Sequence, residues 1–393
     1  MTPEQVVFVN DGPNILEEPH NRKEPRLKVR QGASTKTDAD EAVRELAAQI
    51  EQPNTQVCLI FFSDEYDPQQ LGQALKNHLP GTVTGCTTAG QLAETGFQRG
   101  GISGASLASD ELSAIPYLIH PLSMQAEQVE KLAVDVQERL TLSEQPAFGF
   151  LLVDGLSMKE EPLISALYMA LGNVPIIGGS AGDSLKFKQT FVYYDGRLLR
   201  DAAVLTLFLT TLPFHIFKHQ HFLPTATRLV VTAAAPEKRL VKEINGEPAA
   251  EAYAQLIGKT VEQLDSTVFS QHPLMLRIGN DYYVRSVSNV EPDGSLKFFC
   301  AIDAGLVLTI GQGDSAIETL NRDLQKVKQE MGDPAVIIGC DCILRRLEME
   351  VQGIDDSVGR LLAKSKVVGF STYGEQINSV HVNQTFTGVA IAG

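Results

Sequence analysis

Between residues 38 and 155, short continuous apolar runs alternate with stretches whose apolar positions recur every three or four residues. The first pattern marks strands buried on both faces, the second helices with one face inward. Asp38 stands before a helix running to Ile50, as a capping residue should. Val57–Ser63 reads as a doubly buried strand, followed by a helix over 67–78 and a Thr- and Val-rich strand over 82–88 that ends near Gly90. Strands near 101–109 and 111–120, a helix near 123–140 and a strand over 148–155 continue the series. Such alternation predicts sheets covered by helices.

From about 175 the pattern changes. Tyr194-Asp195-Gly196-Arg197 marks a tight hairpin. Strands are predicted over 203–209, 214–222 and 228–234, and Pro248 opens a helix over 248–258. Pro292-Asp293-Gly294 joins strands over 282–290 and 296–302. A helix over 314–331 sets Ile317, Leu320, Leu324 and Val327 on one face. Strands over 335–344, 367–373 and 381–392 close the chain, and no tandem repeat is visible. The expectation is an α/β protein with a polar arm over 1–40 and two domains, 41–230 and 231–393. Each domain is expected to hold mixed, partly antiparallel sheets covered by helices.

Composition narrows the function. Of 393 residues, 33 are Lys or Arg and 48 Asp or Glu, a net charge of −15 that repels phosphate backbones and anionic lipid. Nucleic acid is therefore not expected as a partner. No apolar run reaches the roughly 18 residues of a membrane helix, so no membrane partner is expected either. The start lacks a basic and an apolar region, so no signal peptide is read. Five cysteines, odd in number and set in apolar runs, argue against a disulfide framework and for the cytoplasm. A homo-oligomer is left open.

No phosphate-binding loop, dinucleotide fingerprint, nucleophile elbow or paired zinc motif is present. Gly178-Gly179-Ser-Ala-Gly-Asp183 reads as a strand-to-loop turn, either a tight turn needing positive φ or a place where backbone approaches a ligand. Cys340-Asp-Cys342 would share one strand face, but two thiols do not complete a metal site. Three of the eight histidines fall between 215 and 221. On a strand, His215, Phe217, His219 and His221 would share a face. Neutral imidazoles beside aromatic rings suit axial ligation of haem iron, or zinc, or are simply polar strand residues.

Gly178–Asp183, Cys342-Ile-Leu-Arg-Arg346, Gly369-Phe-Ser-Thr-Tyr-Gly-Glu375 and His381-Val-Asn-Gln-Thr385, in this order, resemble the FIST family. The likeness spans roughly 40–390 and implies FIST N and FIST C domains that act as intracellular sensory modules in bacterial signal transduction. His219-Gln-His-Phe-Leu-Pro-Thr225, Leu229-Val-Val-Thr232 and Glu243–Ala250 resemble the NosP branch of that family. That branch binds haem b, senses nitric oxide and regulates a separate histidine kinase. The resemblance implies that the chain is not an enzyme, and the shared strand face makes His221 or His219 the expected iron ligand. Arg345, Arg346 or Arg285 would then pair with the propionates. Two alternatives stand beside this one. One is a non-haem sensor of an amino acid or other small metabolite that uses the Gly178–Asp183 loop. The other is a hydrolase or transferase with Cys340 or Cys86 as nucleophile and His381 or His272 as base.

Overall fold

A computed structural model describes residues 26–393. The apolar runs form three six-stranded sheets built to one plan. At the heart of each lie two parallel strands: Thr55–Phe62 with Thr82–Thr87, Ala147–Val153 with Ile176–Ser180, and Pro334–Cys342 with Val367–Thr372. Parallel neighbours need a crossover. It is supplied by helix Pro68–His78, by helix Glu160–Leu171, and by the pair Ile343–Gln352 and Asp355–Lys364. An antiparallel strand flanks the first of each pair, namely Ile102–Ala108, Ala203–Thr210 or Phe386–Ala392. Outside it lies the strand that opens the unit: Lys28–Ser34, Leu112–Ile119 or Phe214–His219. The α/β class with mixed sheets is as expected.

Each unit also contains a hairpin, and each hairpin joins a sheet other than its own. The hairpin Gln91–Gln98 of the first unit pairs with Val367–Thr372 of the third sheet. The hairpin Val192–Leu199 of the second pairs with Thr82–Thr87 of the first. The hairpin Glu375–Val382 of the third pairs with Ile176–Ser180 of the second. The three units thus exchange hairpins in a ring. Their inner faces meet in one core, where Val57, Leu59 and Phe61 face Phe148, Phe150 and Leu152, and Val336, Ile338 and Cys340. Phe61 stacks on Phe370 there at 4.7 Å.

The three parallel pairs share one steric demand. Gly85, Gly178 and Gly369 stand opposite Ile60, Leu151 and Gly339. A Cβ on them would come 2.2, 1.9 and 1.8 Å from the carbonyl oxygen of that partner. Gly179 is equally confined, its Cβ direction ending 2.6 Å from Thr372 and 2.8 Å from Phe370. This corrects the sequence reading of Gly178–Asp183. Its first two glycines belong to strand Ile176–Ser180, none of the three has a positive φ, and they permit strand and sheet packing rather than a turn.

A fourth, antiparallel sheet, carried by residues Phe222–Gly313, is inserted into the third unit between strand Phe214–His219 and helix Ala316–Met331. Its own core gathers Leu229, Val231, Tyr253, Phe269 and Phe298. The single strand expected over 214–222 is therefore broken at Gln220 and His221, where the chain leaves one sheet for the other. Helices Glu160–Leu171, Ile343–Gln352 and Asp355–Lys364 were not expected, and Arg345 and Arg346 lie on the second of them, past the end of the strand expected over 335–344. Of the expected arm, residues 1–25 lie outside the described residues, whereas Lys28–Ser34 is the outer strand of the first sheet. Among the described residues, no helix is long and apolar enough to cross a membrane.

Gly178→Ala and Gly369→Ala should each lower the unfolding free energy by about 3 kcal/mol, since a methyl must displace backbone. Gly246→Ala should cost about 1 kcal/mol, because that residue has φ 84° but open space around it. Urea denaturation of the three variants measures the contrast.

Candidate functional site

The alternation argument holds for three of the four clustered residues. His215, Phe217 and His219 all lie under helix Ala316–Met331. His215 faces Glu330 at 3.2 Å, Phe217 packs with Leu320 and Leu324, and His219 meets Asp323. His221 lies past the strand end and faces helix Ile343–Gln352 instead. Arg345 donates to its Nδ1 at 3.2 Å, so the ring proton sits on Nε2 and is given to the Glu348 carboxylate at 2.9–3.0 Å. Both nitrogens are thus committed. The His221 carbonyl also accepts from Asp314 N at 2.8 Å. His221 consequently ties together the two chain segments that lead into and out of the inserted sheet.

His219 is different. Its Nδ1 donates to Asp323 at 2.8 Å, and its Nε2 is buried with no partner among the described residues. Burial holds its pKa down to about 4, so the ring is neutral at neutral pH with an uncommitted lone pair. A carboxylate-oriented neutral imidazole has the donor chemistry of an axial haem ligand, which His219 offers and His221, with both nitrogens committed, does not.

The arginines are dispersed. Arg345 is fully buried, with Nε on Asp341 at 2.7 Å and NH1 on His221. Arg346 donates from Nε to Glu350 at 3.1 Å and lines a 370 Å³ cavity beside Thr88, Gln91 and Ser184. Arg285 donates to the His381 carbonyl at 2.5 Å, in the seam between the inserted sheet and the three-unit core. Cys86 and Cys340 are buried in the central core, and burial pushes both thiols well above their usual pKa, which leaves no reactive thiolate. His381 is buried and held down to about 4. Among the described residues, no group of three His, Cys, Asp or Glu is arranged to hold a metal ion.

Elsewhere in that seam lies a cleft of about 660 Å³. Among the described residues, no histidine lines it. From the core come Leu156 and Met158, which follow strand Ala147–Val153, with Arg200 and Tyr373; from the insert come Arg239, Ser288, Asn289, Lys297, Phe298 and Phe299. Clefts of this size beyond the carboxyl ends of parallel strands are where α/β proteins seat small molecules. Arg239 forms the floor: NH2 donates to Glu160 at 2.6 Å and Glu161 at 2.8 Å, and NH1 to the Phe299 carbonyl at 2.7 Å.

A strained loop closes one side. The buried Asp183 carboxylate accepts the backbone N–H groups of Phe187, Lys188 and Gln189 at 2.6–3.0 Å, and the Tyr373 hydroxyl donates to it as well. Held this way, Ser184, Leu185 and Phe187 take φ values of 54°, 64° and 51°. Left-handed backbone at bulky residues costs on the order of 1 kcal/mol each and concentrates at ligand clamps. Phe187 remains 50% exposed, its ring stacked on Tyr373 at 5.0 Å over the cleft. Of the residues singled out from sequence, Asp183 alone belongs to this assembly, as the anchor of its loop. Phe187, Lys188, Arg200, Arg239 and Lys297 were missed. The one available signal was Lys186-Phe-Lys188, a cationic and aromatic stretch in an acidic chain.

The titration of His219 is testable. The unfolded side chain takes a proton near 6.5 and the folded one only near 4, so its contribution to stability is lost as pH falls through that window. Burial pushes Glu375 up to about 8, which acts in the opposite sense. The informative quantity is therefore the stability of the wild type minus that of His219→Gln. It should shrink by about 2 kcal/mol between pH 7 and pH 4.5 in urea unfolding; a flat difference would mean that the folded ring takes up its proton at the same pH as the unfolded one.

Comparison with known proteins agrees with the motifs. Residues 56–247 match the FIST N domain model and residues 249–378 the FIST C domain model, their junction falling within the inserted sheet. An uncharacterized protein of Methanocaldococcus jannaschii is 23% identical over 368 residues, covering 82% of this chain and 70% of its own. With both domain models matched in order across most of its length, the chain belongs to the FIST family.

Proposed function

We propose that the protein is a small-ligand sensor in signal transduction, with its ligand seated in the cleft between the three-unit core and the inserted sheet. FIST domains are sensory rather than catalytic modules, which is consistent with a chain that is not an enzyme. The observation that carries the reading is the strained Ser184–Phe187 loop, which holds a half-exposed aromatic ring over a 660 Å³ cleft. A ligand there touches Phe187 and Tyr373 on one side and Lys297 and Phe299 on the other. Binding then favours whichever arrangement of insert and core closes around it, and only that difference in affinity transmits a signal. A separate output protein reads the change.

A second reading is favoured by the buried, unpartnered Nε2 of His219. Here haem b is held by His219, oriented by Asp323, and the output partner is a histidine kinase. Bound haem iron would supply a coordination position for nitric oxide.

Thermal unfolding against a metabolite collection tests the first reading. A ligand at a hundred times its Kd adds about 2.7 kcal/mol, a rise of a few degrees in Tm. Phe187→Ala should abolish the rise; a ligand that stabilises this variant equally binds elsewhere. Haemin titration tests the second. A Soret band that His219→Ala removes supports it, and a band that persists in that variant ends it.

A further inference from the structure

We infer that the ligand of the cleft is an oxyanion with a flat, apolar body, a carboxylate or phosphate attached to an aromatic or extended hydrocarbon frame. The inference rests on the cleft being the sensory site.

The first observation is electrostatic. The chain carries a net charge of −15, yet the cleft is lined by Lys188, Arg200, Arg239 and Lys297 and, among the described residues, by no Asp or Glu. Arg239 is neutralised by Glu160 and Glu161 behind it. The side chains of Lys188, Arg200 and Lys297 have no hydrogen-bond or ion-pair partner among the described residues. Three cations gathered around one opening repel each other, and among the described residues none of the three is held in an ion pair. An acidic protein that collects uncompensated positive charge in a concave site lowers the energy of an anion there, the more so because low-dielectric walls focus the field.

The second observation is shape. Phe187 stacks on Tyr373 at 27° between ring planes, and Phe299 lies 6.4 Å from Phe187. With Leu156 and Met158 they give the cleft an apolar surface beside its cationic residues. Such rings favour a flat partner in offset or edge contact. Ser288 and Asn289 add neutral hydrogen-bonding groups.

The same lining argues against a free amino acid. A zwitterion brings an ammonium group, which would face three cations and find no carboxylate. The Gly178-Gly179 segment does not offer an alternative place, because both glycines are buried within a strand.

Two fluorescent probes that share a skeleton test the charge directly. One is 8-anilinonaphthalene-1-sulfonate and the other N-phenyl-1-naphthylamine, which lacks the sulfonate. The full chain should bind the sulfonate saturably at one site, with affinity that falls as salt is raised. The combined variant Lys188→Gln, Arg200→Gln, Lys297→Gln should weaken the sulfonate about tenfold and leave the neutral probe within about twofold. Phe187→Ala should weaken both. Equal affinity for the two probes, or a sulfonate affinity indifferent to the triple variant, overturns the anion assignment and leaves the cleft standing as a neutral site. Probes indifferent to Phe187→Ala would overturn the cleft reading and the anion assignment with it. Urea midpoints equal to the wild type exclude misfolding of the variants.

Discussion

None of the three parallel strand pairs can close its own sheet. The second strand of each pair would present an open edge, rich in apolar residues and unpaired backbone groups, if a hairpin from another unit did not cover it. The ring of exchanged hairpins meets this requirement three times with one solution, and most of the remaining architecture follows. It brings three inner faces into a single core, and it sets the carboxyl ends of the parallel strands close to one another. There the loops after those strands define the cavities. The glycines opposite Ile60, Leu151 and Gly339 belong to the same constraint, since only a residue without Cβ lets the paired strands approach so closely.

The inserted sheet breaks the equivalence of the three units and builds the second wall of the cleft. Its attachment is electrostatic to an unusual degree. At the neck, Asp341, Arg345, His221 and Glu348 form a buried chain of hydrogen-bonded groups, and across the seam Arg239 pairs with Glu160 and Glu161. Buried ion pairs seldom add net stability, because desolvation offsets the attraction. Their effect here is on geometry: each group accepts few partners at few angles, so the insert has one way to sit. The strained 184–187 loop and the buried network act together, the first holding a ring over the cleft and the second defining the opposite wall.

Local features were legible in the sequence because they depend on neighbouring residues. Asp38 does cap helix Ala39–Ile50, while Asp67 and Ser315, not singled out from sequence, cap Pro68–His78 and Ala316–Met331. The face shared by His215, Phe217 and His219 was also legible, and it failed at His221 because a strand end carries no strong local signal. Helix Glu160–Leu171 escaped notice although Leu163, Ile164, Leu167 and Leu171 have helical spacing. The threefold repeat was invisible as a repeat: the units share a burial pattern and the endings Gly90-Gln91, Gly182-Asp183 and Gly374-Glu375, but little else. The cleft could not be read at all. Its walls come from residues between 155 and 373 that meet only after the sheets have formed.

The exchange of hairpins has a consequence for synthesis. Leu92 pairs with Gly369, and the two are separated by 277 residues of chain. At roughly 5–20 residues per second, that hairpin waits on the order of 14–55 s for its partner to leave the ribosome. In linear repeat proteins each unit can fold against the one before it. Here the first unit's hairpin has no strand to join until Val367–Thr372 has been made, so the ring closes late and as a whole.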